Sequence, residues 1–217
     1  MKQLLNSLLI LSFFAAHAQV TEHFSDGNFT SNPIWIGDDS LFQVNSGFQL
    51  QSKGTKGTSK DICLSTSSNF IDSAEWQCWV RFNLKPSAQN FCRFYLVSDQ
   101  QDLKGILNGY FVQFGGVTGS KDSITLYKQK GKNLIRVIAG RPSTVSKSNN
   151  IVRIKILRDK VGNWQLFSDT IGGINFVLEG AGTDNELQRH IILDFLLDLQ
   201  PVMWQIIFWM MYMPVKI

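Results

Sequence analysis

Side chains able to do chemistry are sparse in this chain of 217 residues. Its glutamates are Glu22, Glu75, Glu179 and Glu186. Cleaving a glycosidic bond takes two carboxyl groups roughly 5–9 Å apart, one to give a proton and one to attack or to activate water. None of the glutamates has an acidic partner two residues on within a strand-like run, and Glu179, followed by Asp184 and Glu186, reads as the solvated end of a strand. A serine triad would have to draw on His23 or His190, and no nucleophile elbow is present. Gly115–Lys121 fails as a phosphate loop because Ser120 stands where lysine must follow Gly119. Cys63, Cys78 and Cys92 lack metal-ligand spacing and read as small buried apolar residues. With no catalytic set, the expectation is a chain that is not an enzyme.

Binding chemistry is better represented. Trp76–Leu84 alternates, with Trp76, Cys78, Val80, Phe82 and Leu84 on one side and Gln77, Trp79, Arg81 and Asn83 on the other. Asn90–Ser98 follows after a turn containing Pro86. Paired as a hairpin with Leu84 facing Asn90, the two strands put Trp79 across from Tyr95 and Arg81 across from Arg93. An aromatic platform beside two guanidinium groups stacks on a sugar ring and grips an acidic group by paired hydrogen bonds. The same register holds Cys78 and Cys92 too far apart for a disulfide. The alternative is a covered face, with Asp99 or Asp102 neutralising the arginines, and a slip of one residue would turn every side chain to the other side. Asp26 and Asn28 form a second candidate. Flanking Gly27, they bring side-chain oxygens into one tight turn, as a structural calcium ion requires, or as an ordinary Asx turn does.

The elements that must carry these residues are strands. Apolar alternation broken by turn residues recurs at Leu41–Asn45, Phe48–Gln51, Asp61–Thr66, Gly109–Phe114, Ser123–Gln129, Leu134–Ala139, Ile151–Arg158, Asn163–Ser168 and Ile174–Leu178. No convincing helical period appears before residue 187. Short strands at regular spacing predict an all-β chain folded as an antiparallel β-sandwich over residues 19–188.

Phe24-Ser25-Asp26-Gly27-Asn28-Phe29 followed by Pro33-Ile34-Trp35-Ile36-Gly37-Asp38 resembles the opening of concanavalin A-like lectin/glucanase (laminin-G-like) modules found in large secreted bacterial proteins. Phe94–Gln100, Asn108–Val112, Arg158-Asp159 and Gly162-Asn163-Trp164 resemble the same modules. The resemblance implies a jelly roll of two packed sheets, set beside other modules in a longer surface protein. It also implies carbohydrate recognition or surface adhesion, against the alternatives of a glycan hydrolase or lyase of the same fold and a purely structural module. The Glu-x-Asp-x-x-Glu strand of the family's retaining glycanases is missing. Calcium, where the family has it, is held between the N-terminal segment and the last strand, which implicates Asp26 and Asn28.

Residues 1–18 read as a signal peptide, with Lys2, an apolar stretch to Ala16 and an Ala16-His17-Ala18 cleavage site, which predicts an exported chain starting at Gln19. The formal net charge of +4 is small and has no basic run behind it, so no nucleic-acid partner is expected. Residues 189–217 break the pattern. Met203, Met210, Met211 and Met213 crowd there, and Asp194 and Asp198 make a membrane-spanning helix a poor reading. Methionine and tryptophan have single codons, so the third-base frame across Phe208–Pro214 must spell Leu-Asp-Asp-Val-(Tyr or His)-Ala, and the remaining frame is closed by a stop within Met210-Met211. The tail reads as a frameshifted segment replacing closing strands of the jelly roll. Sequencing the locus is expected to show the third-base frame running on, open and strand-patterned, past the codon for Ile217. A stop in that frame within a few codons would refute the reading.

Overall fold

The computed structural model describes residues 21–53, 61–67, 73–83, 85–88, 90–117, 119 and 121–186, and the backbone of 68, 193–194, 197–199 and 206–212. The expected leader at residues 1–18 lies outside these, as does much of the tail. Short strands come first: β1 (Thr21–Glu22), β2 (Ile36–Gly37), β3 (Phe42–Val44), β4 (Leu50–Ser52), β5 (Leu64–Ser65) and β6 (Ser67–Ser68). The long strands are β7 (Ala74–Phe82), β8 (Phe91–Ser98), β9 (Leu107–Gly115) and β10 (Ile124–Gly131). They continue with β11 (Asn133–Ile138), β12 (Asn150–Arg158), β13 (Asn163–Asp169) and β14 (Val177–Thr183). The tail supplies β15 (Leu193–Asp194), β16 (Leu197–Leu199) and β17 (Ile206–Tyr212).

These strands build an antiparallel β-sandwich. One sheet has eight strands in the order β14-β13-β12-β7-β17-β4-β3, with β1 also paired to β17. The other has five in the order β11-β10-β9-β8-β16. Period-two alternation decides which residues lie between them. On β7, Ala74, Trp76, Cys78, Val80 and Phe82 are all fully buried while the residues between them are half-exposed. Val152, Ile154 and Ile156 of β12 extend that inner row, and Cys92, Phe94, Leu96, Val112, Phe114, Ile124 and Leu126 of the five-stranded sheet meet it. Rings bridge the layers. Trp76 stacks on Trp164 of β13 at 5.8 Å, and Trp164 meets Tyr110 of β9 at 4.7 Å.

The hairpin expected between Trp76–Leu84 and Asn90–Ser98 does not form. β7 lies between β12 and β17, whereas β8 lies in the opposite sheet between β9 and β16. The reason is the apolar character of β8 on both of its faces. Phe94 and Leu96 face the main core, and Tyr95 needs a second one, which it finds with Cys63, Leu103, Leu107 and Phe111. A strand paired with β7 would have turned Tyr95 toward water beside Trp79 and Arg81. Pro86, in the connection that crosses between sheets, packs so closely on Gly115 that a Cβ there would lie 2.3 Å from the proline ring, and Gly115 takes φ +84.

The backbone of β17 occupies the slot between β7 and β4, with a register shift between Phe208 and Met211. Residues 187–192, 195–196, 200–205 and 213–217 lie outside the described ones, so most of the expected frameshifted stretch does too.

All three cysteines are free and buried, in keeping with their reading as small apolar residues. Burial pushes the Cys63 thiol up to about 12 and raises that of Cys78 as well. Cys78 and Cys92 stand on inner faces of different sheets. A thiol reagent in mildly alkaline buffer is therefore expected to label no cysteine in the native chain and all three in denaturant. Rapid native labelling of Cys78 or Cys92 would contradict this arrangement.

Candidate functional site

The four residues expected to form one binding face are divided between two. Trp79 and Arg81 point outward from the eight-stranded sheet, and Arg93 and Tyr95 from the five-stranded one. Trp79 faces Arg153 instead of Tyr95, and Arg81 faces Ile151 instead of Arg93.

On the five-stranded sheet the outward row is largely used up internally. The Arg93 guanidinium lies between the rings of Phe91 and Phe111, at 4.9 and 4.8 Å, and its Nε donates to Gln113 Oε1 at 3.1 Å. Tyr95 is fully buried, and its hydroxyl donates to Gln129 Oε1 at 2.6 Å. Tyr95, Phe111 and Tyr127 form a continuous run of rings, 4.8 and 5.4 Å apart. These contacts saturate Tyr95 and leave it no surface for a ligand.

The outer face of β7, β12 and β13 differs. Trp79, Arg81, Ile151, Arg153, Lys155 and Phe167 are all half-exposed. Cross-strand register sets Gln77 opposite Lys155, Lys155 opposite Phe167, and Arg153 between Trp79 and Asp169. The Lys155 ammonium sits 5.0 Å from the Phe167 ring and 4.8 Å from that of Phe176, a cation–π clasp. The 170–175 loop passes over the edge of Trp79. A Cβ at Gly172 would come within 2.4 Å of the indole nitrogen, so this position, at φ +76, requires glycine. Among the described residues no carboxylate makes an ion pair with Arg81, Arg153 or Lys155. Asp169 spends its oxygens on the backbone N–H groups of Ile171 and Asn175, and Glu75 accepts from Gln77 Nε2. Arg153, Lys155 and Phe167 were legible in the sequence as the outward positions of two alternating strands. Their neighbourhood with Trp79 was not.

The calcium candidate lies in a tight turn. Asp26 Oδ1 and Oδ2 accept from the backbone and side-chain N–H groups of Asn28, at 3.1 and 2.7 Å. Asn28 Oδ1 in turn accepts from Thr30, Ser31 and the Ser31 hydroxyl. The oxygens a cation would use are committed to an Asx turn. No cluster of three or more His, Cys, Asp or Glu suited to a metal exists among the described residues. The nearby Glu22 is buried, which raises its pKa, and Asp26 adds to the rise.

Glu179, expected at a solvated strand end, is instead enclosed within β14. Its carboxylate accepts from the Ser168 hydroxyl at 2.5 Å and from the backbone and guanidinium of Arg141 at 2.8 and 2.9 Å. Burial is tolerated because each carboxylate oxygen has a donor, and the carboxylate ties the 141–144 loop to the sheet.

A second ionic cluster closes one end of the sandwich. Lys128 Nζ contacts Asp184 Oδ2 at 2.5 Å and Glu186 Oε2 at 2.8 Å, and Lys130 also reaches Glu186. Tyr110 donates to Asp184 Oδ1 at 2.5 Å. Burial works against the Asp184 charge, but Lys128 and Tyr110 outweigh it and hold its pKa below the usual carboxylate range. Lys128 and Lys130 bring Glu186 down to about 2.

No protein-family model matches the chain, and no curated protein matches it. Solved structures do. The xylan β-1,4-xylosidase of Bacillus halodurans C-125 superposes with a TM-score of 0.54 at 10% identity, covering 90% of this chain and 39% of that one. Carbohydrate-binding module CBM66 of Bacillus subtilis gives 0.51 at 10% identity, over 81% of this chain and 91% of that one. The exoplasmic/lumenal domain of VIP36, solved with Ca2+ and Man3GlcNAc bound, gives 0.60 at 10% identity, over 84% and 83%. This chain spans 26–42% of the length of the matching xylosidase and GH43 chains. At these identities the likeness is one of fold, and the fold is the concanavalin A-like jelly roll expected from the opening motifs. The expectation that the chain is not an enzyme is corrected by the same comparison. GH43 glycoside hydrolases are prominent among the structures that share this fold, so the architecture does not set the chain apart from enzymes.

The ionic cluster makes a definite acid response. Carboxylates whose folded pKa is depressed add stability above their unfolded values, and that stability is lost as pH falls toward the folded ones. Melting temperature is expected to drop between pH 4.5 and about 2, the unfolded and folded values for Glu186. Lys128→Met should destabilise the chain strongly at neutral pH, because it leaves Asp184 charged and half-buried, and much less once the acids are protonated. A gap between wild type and Lys128→Met that stays the same from neutral to acid pH would show that the cluster does not carry this stability.

Proposed function

We propose that the chain recognises carbohydrate through the outer face of β7, β12 and β13, with Trp79 as the stacking platform. The observation that carries this reading is the juxtaposition of a half-exposed Trp79 with Arg81 and Arg153 on a rigid sheet. A sugar ring offers an apolar face of C–H groups and a rim of hydroxyls. A flat indole takes the first, and neighbouring guanidinium groups donate hydrogen bonds to the second. Ligand-binding side chains mounted on strands rather than loops keep their spacing without ordering on binding. The lectin VIP36 and the module CBM66, which share the fold, support the reading.

The reading extends to an exported module that works beside other parts of a longer chain. The signal-like start and the partial coverage of the hydrolase chains support this. In such a chain the sandwich delivers glycan to, or is itself part of, a hydrolytic apparatus, and the xylosidase and GH43 neighbours favour this second reading.

Glycan-array screening of the exported chain, followed by titration of the best ligand, tests the site. Trp79→Ala is expected to weaken binding about tenfold or more, in line with the stacking contribution of one aromatic ring. Tyr95→Phe, behind Gln129 on the far sheet, should leave affinity unchanged. Equal affinities for Trp79→Ala and wild type would remove Trp79 from the site, and the absence of any glycan ligand would refute the reading as a whole.

A further inference from the structure

The charges on this face suggest which glycan. Arg81, Arg153 and Lys155 share one side of two adjacent strands. Arg153 and Lys155 are two residues apart on β12, so their Cα atoms are separated by about 7 Å. Arg81 is diagonal to Arg153, because Arg81 faces Ile151 and Trp79 faces Arg153, and diagonal neighbours lie about 7–8 Å apart. Three cations therefore run in a row at similar spacing, with Trp79 beside the middle one and the Phe167 and Phe176 rings around Lys155. Like charges so placed repel, which is unfavourable for the isolated fold.

Two acids lie on the same face, Asp169 and Glu75, and among the described residues neither forms an ion pair with the row. Asp169, directly across from Arg153, is 4% exposed and holds the 170–175 loop through Ile171 and Asn175. Glu75 is taken by Gln77. The buried Glu179 belongs to Arg141 and Ser168. At the Arg81 end the row opens into a cavity of about 290 Å³ bounded by Arg141, Thr144, Lys147, Asn149, Ile151 and Thr170. That cavity is polar, adds the basic side chain of Lys147 beside an Arg141 already paired with Glu179, and lies near the lower size limit for small-ligand sites.

From this we infer that the ligand is an anionic polysaccharide, with carboxylate or sulfate groups that pair with the Arg81–Arg153–Lys155 row while a sugar ring stacks on Trp79. The inference rests on the carbohydrate reading above and goes further by fixing the charge class. Asp169 and Glu75 offset part of the row's repulsion, and an anionic glycan offsets more of it, which a neutral one cannot do. Guanidinium groups hold carboxylates and sulfates in two-pronged hydrogen bonds, and Lys155, pinned between two rings, adds a fixed point charge. A repeating anionic chain lying across the strands meets several cations at once, which gives cumulative affinity and marked sensitivity to salt.

The test compares polygalacturonate, a sulfated galactan and neutral arabinoxylan by titration at low and at high sodium chloride. Wild type is expected to bind at least one of the two acidic polymers about tenfold or more tighter than arabinoxylan, and high salt should erase most of the difference. The acidic polymer that binds identifies the group as carboxylate or sulfate. Arg153→Gln combined with Lys155→Gln should abolish the preference while keeping weak binding that still depends on Trp79. If that double variant does not fold, Arg81→Gln, at an exposed strand end, is expected to reduce the preference by itself. Equal affinity for acidic and neutral polymers would overturn the inference and leave the carbohydrate reading standing. Failure to bind all three, with no ligand on the glycan array either, would overturn both. Double-stranded DNA and anionic lipid vesicles serve as further probes. Binding of either as tight as that of the acidic polymer, and insensitive to Trp79→Ala, would show simple cation exchange and also overturn the inference.

Discussion

Trp164 is the member on which the two layers depend. It stacks on Trp76 within its own sheet and on Tyr110 across the interior, and its indole N–H donates to the carbonyl of Asp184. Tyr110 donates to the carboxylate of the same Asp184, which also grips Lys128. One aromatic bridge and one carboxylate thus couple β7, β13, β9, β10 and the exit of β14. Large rings contribute more buried area than any other side chains, and a polar atom at each ring's edge gives the stack a direction. Sheets that merely slid over one another would lose both the stack and its hydrogen bonds.

With the interior fixed in this way, strand alternation fixes the outside. Every inward residue of β7 and β12 dictates that its neighbours face outward, so Trp79, Arg81, Arg153 and Lys155 are presented as a consequence of burying Cys78, Val80, Val152, Ile154 and Ile156. The other sheet uses the same rule to a different end. Its outward residues Tyr95 and Phe111 are covered by Cys63, Leu103 and Leu107, and so serve as a second core. Each layer has one face for the common core, but only one of the two keeps its second face open among the described residues. That asymmetry separates the surface suited to a ligand from the one that is not.

Charge is handled differently in the two regions as well. Within the packed parts two acids are met by several donors, Glu179 by Ser168 and Arg141, and Asp184 by Lys128 and Tyr110. On the open face Lys155 is clasped by two rings instead of by a carboxylate. A cation over a ring keeps most of its attraction for an external anion, whereas a cation in an ion pair does not.

Alternation along the chain was enough for the class of fold, the position of most long strands and the inward or outward sense of residues along β7, because it is local and each strand carries it whole. The sequence also made the three cysteines legible as core residues. Tertiary structure alone decided which strands lie side by side. Trp79 was visible as an outward ring, but Arg153 lies 74 residues away and only the β7–β12 pairing brings them together. The hairpin that would have joined Trp79 to Tyr95 was locally reasonable, and it gave way because Tyr95 gains more from burial against Phe111 and Gln129 than from exposure beside an arginine. Glu179 was misread for a related reason. A carboxylate with no local partner reads as solvated, and its donors, Arg141 and Ser168, arrive only when the loop and the neighbouring strand fold over it. Pairing between distant strands depends on the fit of whole faces, a quantity that no short stretch of sequence contains.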